Sequence, residues 1–384
     1  MITQSIIFHC NYLAADIGIP GVNQNTIANL LKCGDSDLVV YGSDYKNYYQ
    51  FKWAEDGISI ETREIGRSEM VAPTFAMFTG FDSVRKMIPE MIQWRRKGCH
   101  IGFWNWGYLT KQQSNCNWSS GKVPLWLKRC AIFVTRKMMG PLVDFYIVSS
   151  NAEREDSNIK SNQCLQMPMG RPQSAIFKEC DAIDAAAVEY RDESLTYIGR
   201  GNWETKGVGN IVHYALSEKG KNQKFRFFIS TKEAGFDERV RDHQASNMEW
   251  HDDVFGKDNL PWLQKSAAFI TINVNPIQLR TPYESLYAGT PVVMYREGYM
   301  DGFKSILDAL DLPDAVQIIA PEEIEKDSLQ VATLDANDRI KIAETMRVVL
   351  NAKEFSEWFG AWLKNPTGGA SYYEHIKIKL LGGR

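Results

Sequence analysis

Short apolar runs recur along the chain, each followed by a polar or glycine-bearing stretch and then by residues at helical spacing. Ser5 to Cys10 is the first such run and predicts a buried strand, and Asp37 to Tyr41 predicts a second. Tyr45 to Glu64, centred on Asp56-Gly57, predicts a hairpin or short strands. Val84 to Lys97 sets Met87, Ile88, Met91, Ile92 and Trp94 on one side of a helix. That helix closes in Arg95-Arg96-Lys97-Gly98, a cationic last turn with a glycine stop. Cys99 to Trp104 and Phe145 to Ser149 read as strands, with a helix from Pro124 between them and a helix capped by Ser150 or Asn151 after them. The alternation resumes with strands at Leu195, Phe225 to Ser230, Ala267 to Val274, Val292 to Tyr295 and Val316 to Ala320. Helices are predicted from about Val208, around Pro261, after Pro282, and over Asp301 to Leu310, Ala336 to Leu350, Glu354 to Leu363 and Ser371 to Leu381. Val240 to Asp253 is acidic and aromatic and yields no assigned element. Strands alternating with helices predict an α/β protein with parallel sheets.

Two stretches of the second half carry candidate chemistry. Leu195-Thr-Tyr-Ile-Gly199-Arg200-Gly-Asn-Trp-Glu-Thr-Lys206-Gly207 is a strand, a glycine-bearing loop and the start of a helix. Its two permanent cations, one a planar fork and one a point charge, stand beside a helix N-terminus and suit a diphosphate. The loop lacks the Lys-Ser/Thr ending of a P-loop, so triphosphate hydrolysis is not indicated. Thr281-Pro-Tyr-Glu284-Ser-Leu-Tyr-Ala-Gly289-Thr-Pro291-Val-Val lies between two apolar strands. It predicts a short helix with Glu284 in its first turn and a Gly-Pro stop, completing a βαβ unit.

Together these stretches resemble the C-terminal domain of the GT-B-fold glycosyltransferases, most closely the retaining family 4. There a Gly-Arg…Lys-Gly loop holds the diphosphate of a nucleotide-sugar, and a Glu-bearing segment ending in Gly-x-Pro-Val-Val binds the ribose. The resemblance implies two Rossmann-like domains facing a central cleft, with a C-terminal helix crossing back to the first. The corresponding boundaries are 1–175 for an acceptor-binding domain, 176–355 for a nucleotide-sugar-binding domain, and 356–384 for the returning helical segment. It also implies that Arg200 and Lys206 contact the diphosphate and act on the leaving group, that Glu284 contacts the ribose, and that Gly199, Thr281 and Asn275 complete the donor site. One departure stands out. The family carries a second glutamate eight residues before Glu284, and here that position is Pro276, with Asn273 and Asn275 beside it.

In the first half, Gly18-Ile-Pro-Gly21 follows the first strand without the Gly-x-Gly-x-x-Gly spacing of a dinucleotide site. The resemblance implies that Gly18 and Gly21 face the acceptor side. The other reading is an ordinary βα turn, and Asp16 either touches an acceptor hydroxyl or caps the following helix. The exit of the strand at Cys99 to Trp104 carries sugar-facing residues in the family, which points to Asn105. His100, inside that strand, reads as a satisfied core histidine. The helix within Lys122 to Lys137 mixes Leu125, Trp126, Ile132 and Phe133 with Lys128, Arg129, Arg136 and Lys137. Two readings are open for it: a peripheral contact with an anionic membrane, or a core helix with a solvated basic edge.

Length and composition narrow the classes. A chain of 384 residues suggests two cores, and 44% hydrophobic with 24% charged residues is ordinary for a folded domain. A net charge of -3 gives no bulk argument for nucleic acid. Seven cysteines, an odd number without Cys-x-x-Cys spacing, fit reduced thiols better than a disulfide framework. The first residues show no basic region followed by a long apolar core, so the expected location is the cytoplasm, or the inner face of its membrane. No Asp-x-Asp triplet follows a strand, and Asp35-Ser-Asp37 leads into one instead. The missing triplet points to metal independence, and the resemblance implies a retaining transferase moving a sugar from a nucleotide-diphosphate donor, with a glycan or lipid-linked acceptor of a bacterial surface polysaccharide as the expectation. Two alternatives stay open: a phage-type transferase acting on DNA bases, and an inactive binding protein of the same fold.

Overall fold

The computed structural model describes residues 4–9, 38–53, 60–79, 84–105, 125–168, 193–204, 206–252, 260–272, 280–295, 300–319, 331, 334–366 and 369–382. Asp16, Gly18, Gly21 and Asn275 lie outside these residues, as do the helix expected at 22–32 and the Asp56-Gly57 turn. The chain divides into two compact units, Met1–Pro172 with Leu350–Tyr372, and Gln173–Val349 with Tyr373–Arg384.

Unit 1 is built on one sheet. Its strands are β1 (Gln4–His9), β2 (Leu38–Ser43), β3 (Tyr48–Trp53), β4 (Ile60–Ile65), β5 (Phe75–Thr79), β6 (His100–Trp104), β7 (Phe145–Val148) and β8 (Cys164–Gln166). They lie in the order β8-β7-β6-β5-β1-β2-β3-β4, parallel except at the β2-β3-β4 meander. Helices α1 (Val84–Arg96), α2 (Leu125–Met139) and α3 (Asn151–Asp156) connect the parallel strands. Every residue of β5 and β7 is buried, as strands covered on both faces require. One core gathers Ile7, Phe78, Met87, Met91, Trp94, Ile101 and Phe103. Strand β5 is absent from the sequence-based expectation, although it stands between β1 and β6. Phe-Ala-Met-Phe-Thr has no alternation and is too short to show a period.

Unit 2 holds β9 (Leu195–Gly201), β10 (Phe225–Lys232), β11 (Met248–Asp252), β12 (Ala268–Thr271), β13 (Val292–Tyr295) and β14 (Val316–Ile319). The order is β11-β10-β9-β12-β13-β14, and every pairing is parallel. Counted from β9 this is 3-2-1-4-5-6, the doubly wound dinucleotide-fold order. Its helices are α4 (Val208–Leu216), α5 (Phe236–Asp242), α6 (Leu260–Lys265), α7 (Arg280–Tyr287), α8 (Asp301–Ala309) and α9 (Ala336–Val349). Val208, Ile211 and Val212 of α4 pack with Phe225, Phe227 and Ile270 of the sheet. Val240 to Asp253, whose sequence pattern announces no element, holds β11 and the end of α5. An edge strand reading Met-Glu-Trp-His-Asp carries too many charges to announce itself.

The last part of the chain serves both units. Helix α10 (Ala352–Lys364) belongs to unit 1, where Trp362 packs edge-on to Phe145 at 4.7 Å and tilted to Phe75 at 6.2 Å. Strand β15 (Ala370–Ser371) then adds to the free side of β8, Ala370 opposite Leu165. Helix α11 (Tyr372–Gly382) falls almost wholly in unit 2: Tyr373 meets Phe303 at 5.1 Å, and Lys377 donates to Ser305 Oγ at 3.1 Å. The expected single returning segment 356–384 therefore divides at Tyr372, and its final helix joins the second unit rather than the first.

Candidate functional site

The doubly wound sheet of unit 2 reverses direction between β9 and β12. From β9 the chain winds outward to β10 and β11, and from β12 it winds the other way to β13 and β14. Crevices at such reversal points, beyond the carboxyl ends of the strands, are where ligands bind in open α/β sheets. The Arg200/Lys206 loop leaves the sheet at the end of β9, and the Glu284 helix comes next after β12 among the described residues.

The exit of β9 is tightly buttressed. The Tyr197 hydroxyl donates to the Arg200 carbonyl at 2.9 Å, and the same ring occupies the space a side chain at Gly199 would need, 2.7 Å from its Cβ. Ser230 Oγ donates to the Gly199 carbonyl at 3.3 Å. A Cβ at Gly201 would sit 2.8 Å from Ile229 and 3.0 Å from Phe236. The Trp203 amide donates to Glu233 Oε1 at 2.9 Å, and its indole fills the space over Gly209. Gly207 caps α4 at φ +68 and lies directly on Ile272, whose carbonyl oxygen would be 1.8 Å from a Cβ placed there. That contact joins the β9 exit to the β12 exit. Residue type and spacing carry no signal for Tyr197, Trp203 or Glu233 as supports, because each side chain acts on the backbone of another residue.

Arg200 and Lys206 stand at this loop. Arg200 is exposed and Lys206 half-buried. Burial first, and the nearby Arg200 guanidinium second, push the Lys206 ammonium below the ordinary lysine range. The two cations are thus close enough to repel, and neither forms an ion pair among the described residues. Both stand just ahead of the N-terminus of the nine-residue helix α4, where the unpaired backbone N–H groups carry the same sign of charge.

Helix α7 follows the β12 exit. It starts at Arg280, so Glu284 lies in its second turn and not in the first, and Pro282 is accommodated within the first turn. Glu284 is buried, Thr281 half-buried. Gly289, at φ +73, ends the helix: its amide donates to Leu286 O at 3.0 Å and the Thr290 amide to Ser285 O at 2.9 Å, the paired bonds of a Schellman stop. A buried guanidinium fastens this stop. Arg339 Nε donates to Gly289 O at 2.7 Å, and its Nη2 to Gln264 O at 2.7 Å and to Thr290 Oγ1 at 2.6 Å. From sequence Arg339 reads as one more surface charge on a helix beside Asp338 and Lys341.

The candidates of unit 1 fare differently. Asn105 is fully buried, and its amide nitrogen donates to Glu153 Oε1 at 2.9 Å and to Ser157 Oγ at 2.8 Å. Glu153 also accepts from the Ser149 amide at 2.7 Å and the Ser149 hydroxyl at 2.6 Å. Asn105 thereby ties the end of β6 to α3, so the expectation that it faces a sugar gives way to a packing role. His100 is exposed at the start of β6, stacked near Phe75 at 5.4 Å, and is no core histidine.

No family model matches the chain, and no curated protein does. Solved structures do. A UDP-forming α,α-trehalose-phosphate synthase of Burkholderia xenovorans, in complex with glucose-6-phosphate, superposes with a TM-score of 0.60 at 11% identity over 94% of this chain and 100% of that one. An E. coli trehalose-6-phosphate protein bound with UDP-2-fluoro glucose gives a TM-score of 0.61 at 11% identity, over 94% and 99%. Anabaena HepE in complex with UDP gives 0.55 at 10% identity, over 94% and 99%. At these identities the likeness establishes the fold: two Rossmann-like units, the GT-B architecture of glycosyltransferases.

Proposed function

We propose that the chain is a glycosyltransferase that takes its sugar from a nucleoside-diphosphate sugar bound at the β9 and β12 exits of unit 2. The observation that supports this most is the pair Arg200 and Lys206, which form no ion pair among the described residues and whose like charges act on one another at the exit of β9, where the sheet reverses. A diphosphate relieves the repulsion and restores the proton affinity that burial removes from Lys206. Transfer breaks the bond between the anomeric carbon and the phosphate oxygen; the electron pair leaves with the diphosphate, and the sugar becomes oxocarbenium-like. Cations and helix N–H groups fixed at the leaving oxygens stabilise that charge as it develops. Loss of one such group costs about 2.7–4 kcal/mol of barrier, or about 10²–10³ in kcat. This chemistry asks for no divalent ion. Glu284 is assigned to the donor ribose, with Gly199, Thr281 and Asn275 completing the donor site. The acceptor in this proposal is a glycan or a lipid-linked sugar of a bacterial surface polysaccharide, with transfer retaining the anomeric configuration.

Calorimetry with UDP, GDP, ADP and CMP tests the donor site, with UDP first because two of the similar structures hold UDP or a UDP-sugar. We expect one nucleotide to bind and Arg200→Ala or Lys206→Ala to weaken it by about tenfold or more, as loss of a charged hydrogen bond implies. Binding of none of the four, or an Arg200→Ala variant that binds like the wild type, overturns the proposal.

A further inference from the structure

Nine large apolar side chains are exposed among the described residues, and five of them sit on one helix. On α2, Trp126 is 63% exposed, Leu127 41%, Phe133 61%, Val134 52% and Met138 50%. With about 100° between successive residues, Trp126, Phe133 and Lys137 fall in one narrow sector and Leu127, Val134 and Met138 in the sector beside it. Thr135 and Met139, on the far side, are buried. The expected core helix with a solvated basic edge would show the reverse, its apolar side covered.

Charge decides what fits this face. No acidic residue occurs between Glu90 and Asp144, although the whole chain is net -3, and lysines and arginines recur through that stretch. Lys137 Nζ stands 5.7 Å from the Phe133 ring centroid, so cation and aromatic share the exposed sector. A second copy of the chain applied to this face would set cations against cations. A helix without a single carboxylate also offers no partner to the basic groups of another protein. Anionic headgroups above an apolar layer match both features, and Trp is the side chain most at home at that boundary. Among the described residues no helix is long and apolar enough to cross a membrane, so α2 would lie along the surface.

We infer that the exposed face of α2 docks on an anionic lipid bilayer, with Trp126 and Phe133 entering the boundary between headgroups and acyl chains and Lys137 remaining with the lipid phosphates. A transferase held this way meets lipid-linked acceptors in two dimensions, a consequence that rests on the proposed activity while the docking itself does not.

The full chain is sedimented with vesicles of phosphatidylcholine alone and of phosphatidylcholine containing phosphatidylglycerol. Partitioning to the anionic vesicles should exceed that to the neutral ones by about tenfold or more and fall as salt is added. The double variant Trp126→Ser/Phe133→Ser should lose that binding while keeping the wild-type melting temperature and nucleotide affinity, since both side chains are exposed and neither is in unit 2. Equal binding to both vesicle types, or a double variant that binds like the wild type, overturns the inference. So does sedimentation velocity showing a wild-type dimer that the double variant lacks, which would give the face to a second copy. Nucleotide titration of the same samples keeps this outcome separate from the fate of the donor site.

Discussion

His9 shows how much a single buried group can reveal about pH. It ends β1 with no exposed surface, stacked on Phe78 at 4.5 Å, and its Nε2 accepts from the Trp94 indole at 2.9 Å. Burial first, and the Arg67 charge second, lower its pKa from 6.5 to about 3. The folded protein therefore holds His9 neutral, while the unfolded chain takes up a proton as soon as pH drops below about 6.5. The stability it contributes is complete above that value and is lost by about 1.4 kcal/mol per pH unit as pH falls toward 3. Between pH 6.5 and 5, above the carboxylate range, this slope should be measurable by denaturant titration. His9→Gln keeps an acceptor for Trp94 and cannot titrate, so it should flatten the slope in that window. An unchanged slope would show that His9 is not the group responsible. Single-residue roles are also the least legible in the sequence. Residue type and spacing do flag Arg200, Lys206 and Glu284. They do not separate Asn105 as a sugar contact from Asn105 as a tie to Glu153, because the partner lies 48 positions away.

At the scale of elements, the βα turns of unit 2 were legible because glycine and proline leave local marks. Strand β13 occupies the four residues expected, and α4 begins at the residue expected. Gly207 carries most weight among these marks. A side chain there would have to adopt φ +68 and also enter the Ile272 carbonyl at 1.8 Å. Gly207→Ala should cost more than about 2 kcal/mol, strain and displacement together. It should also weaken nucleotide binding, because Lys206 moves with it. Gly360 in α10 is the control: apart from its own helix backbone, nothing lies within 4 Å of the point where a Cβ would stand, and its φ is not in the left-handed range. Gly360→Ala should stabilise by about 0.5–1 kcal/mol. Thermal unfolding of the two variants with and without nucleotide compares them directly, and equal effects would remove the special role given to Gly207. Elements without a local mark stayed hidden. Strand β5 is a short apolar run, β11 a charged edge, and Arg339 a helix residue whose acceptors lie about fifty or more positions upstream.

At the scale of the whole chain, the C-terminal segment is where sequence and structure part most clearly, since no local pattern states which unit a terminal helix joins. Its anchors are aromatic. Trp362 is buried against Phe145 and Phe75 in unit 1. Tyr373 is buried over Phe303 in unit 2, its ring filling the space above Gly302, where a Cβ would lie 2.5 Å away. Two side chains only eleven positions apart belong to different cores. Truncation of a buried aromatic typically costs about 3–5 kcal/mol, from lost transfer energy and the cavity left behind. Because each cavity opens in one core, each loss should be read out in one unit. Hydrogen exchange measures this locally. Trp362→Ala should release protection at Phe145 to Val148 while the amides of Leu195 to Gly201 keep theirs. Tyr373→Ala should spare Phe145 to Val148 and release protection in α8, at Phe303 and Ile306. If both variants loosen both sets of amides alike, the division of the segment at Tyr372 is wrong, and the chain's last two helices act as one element.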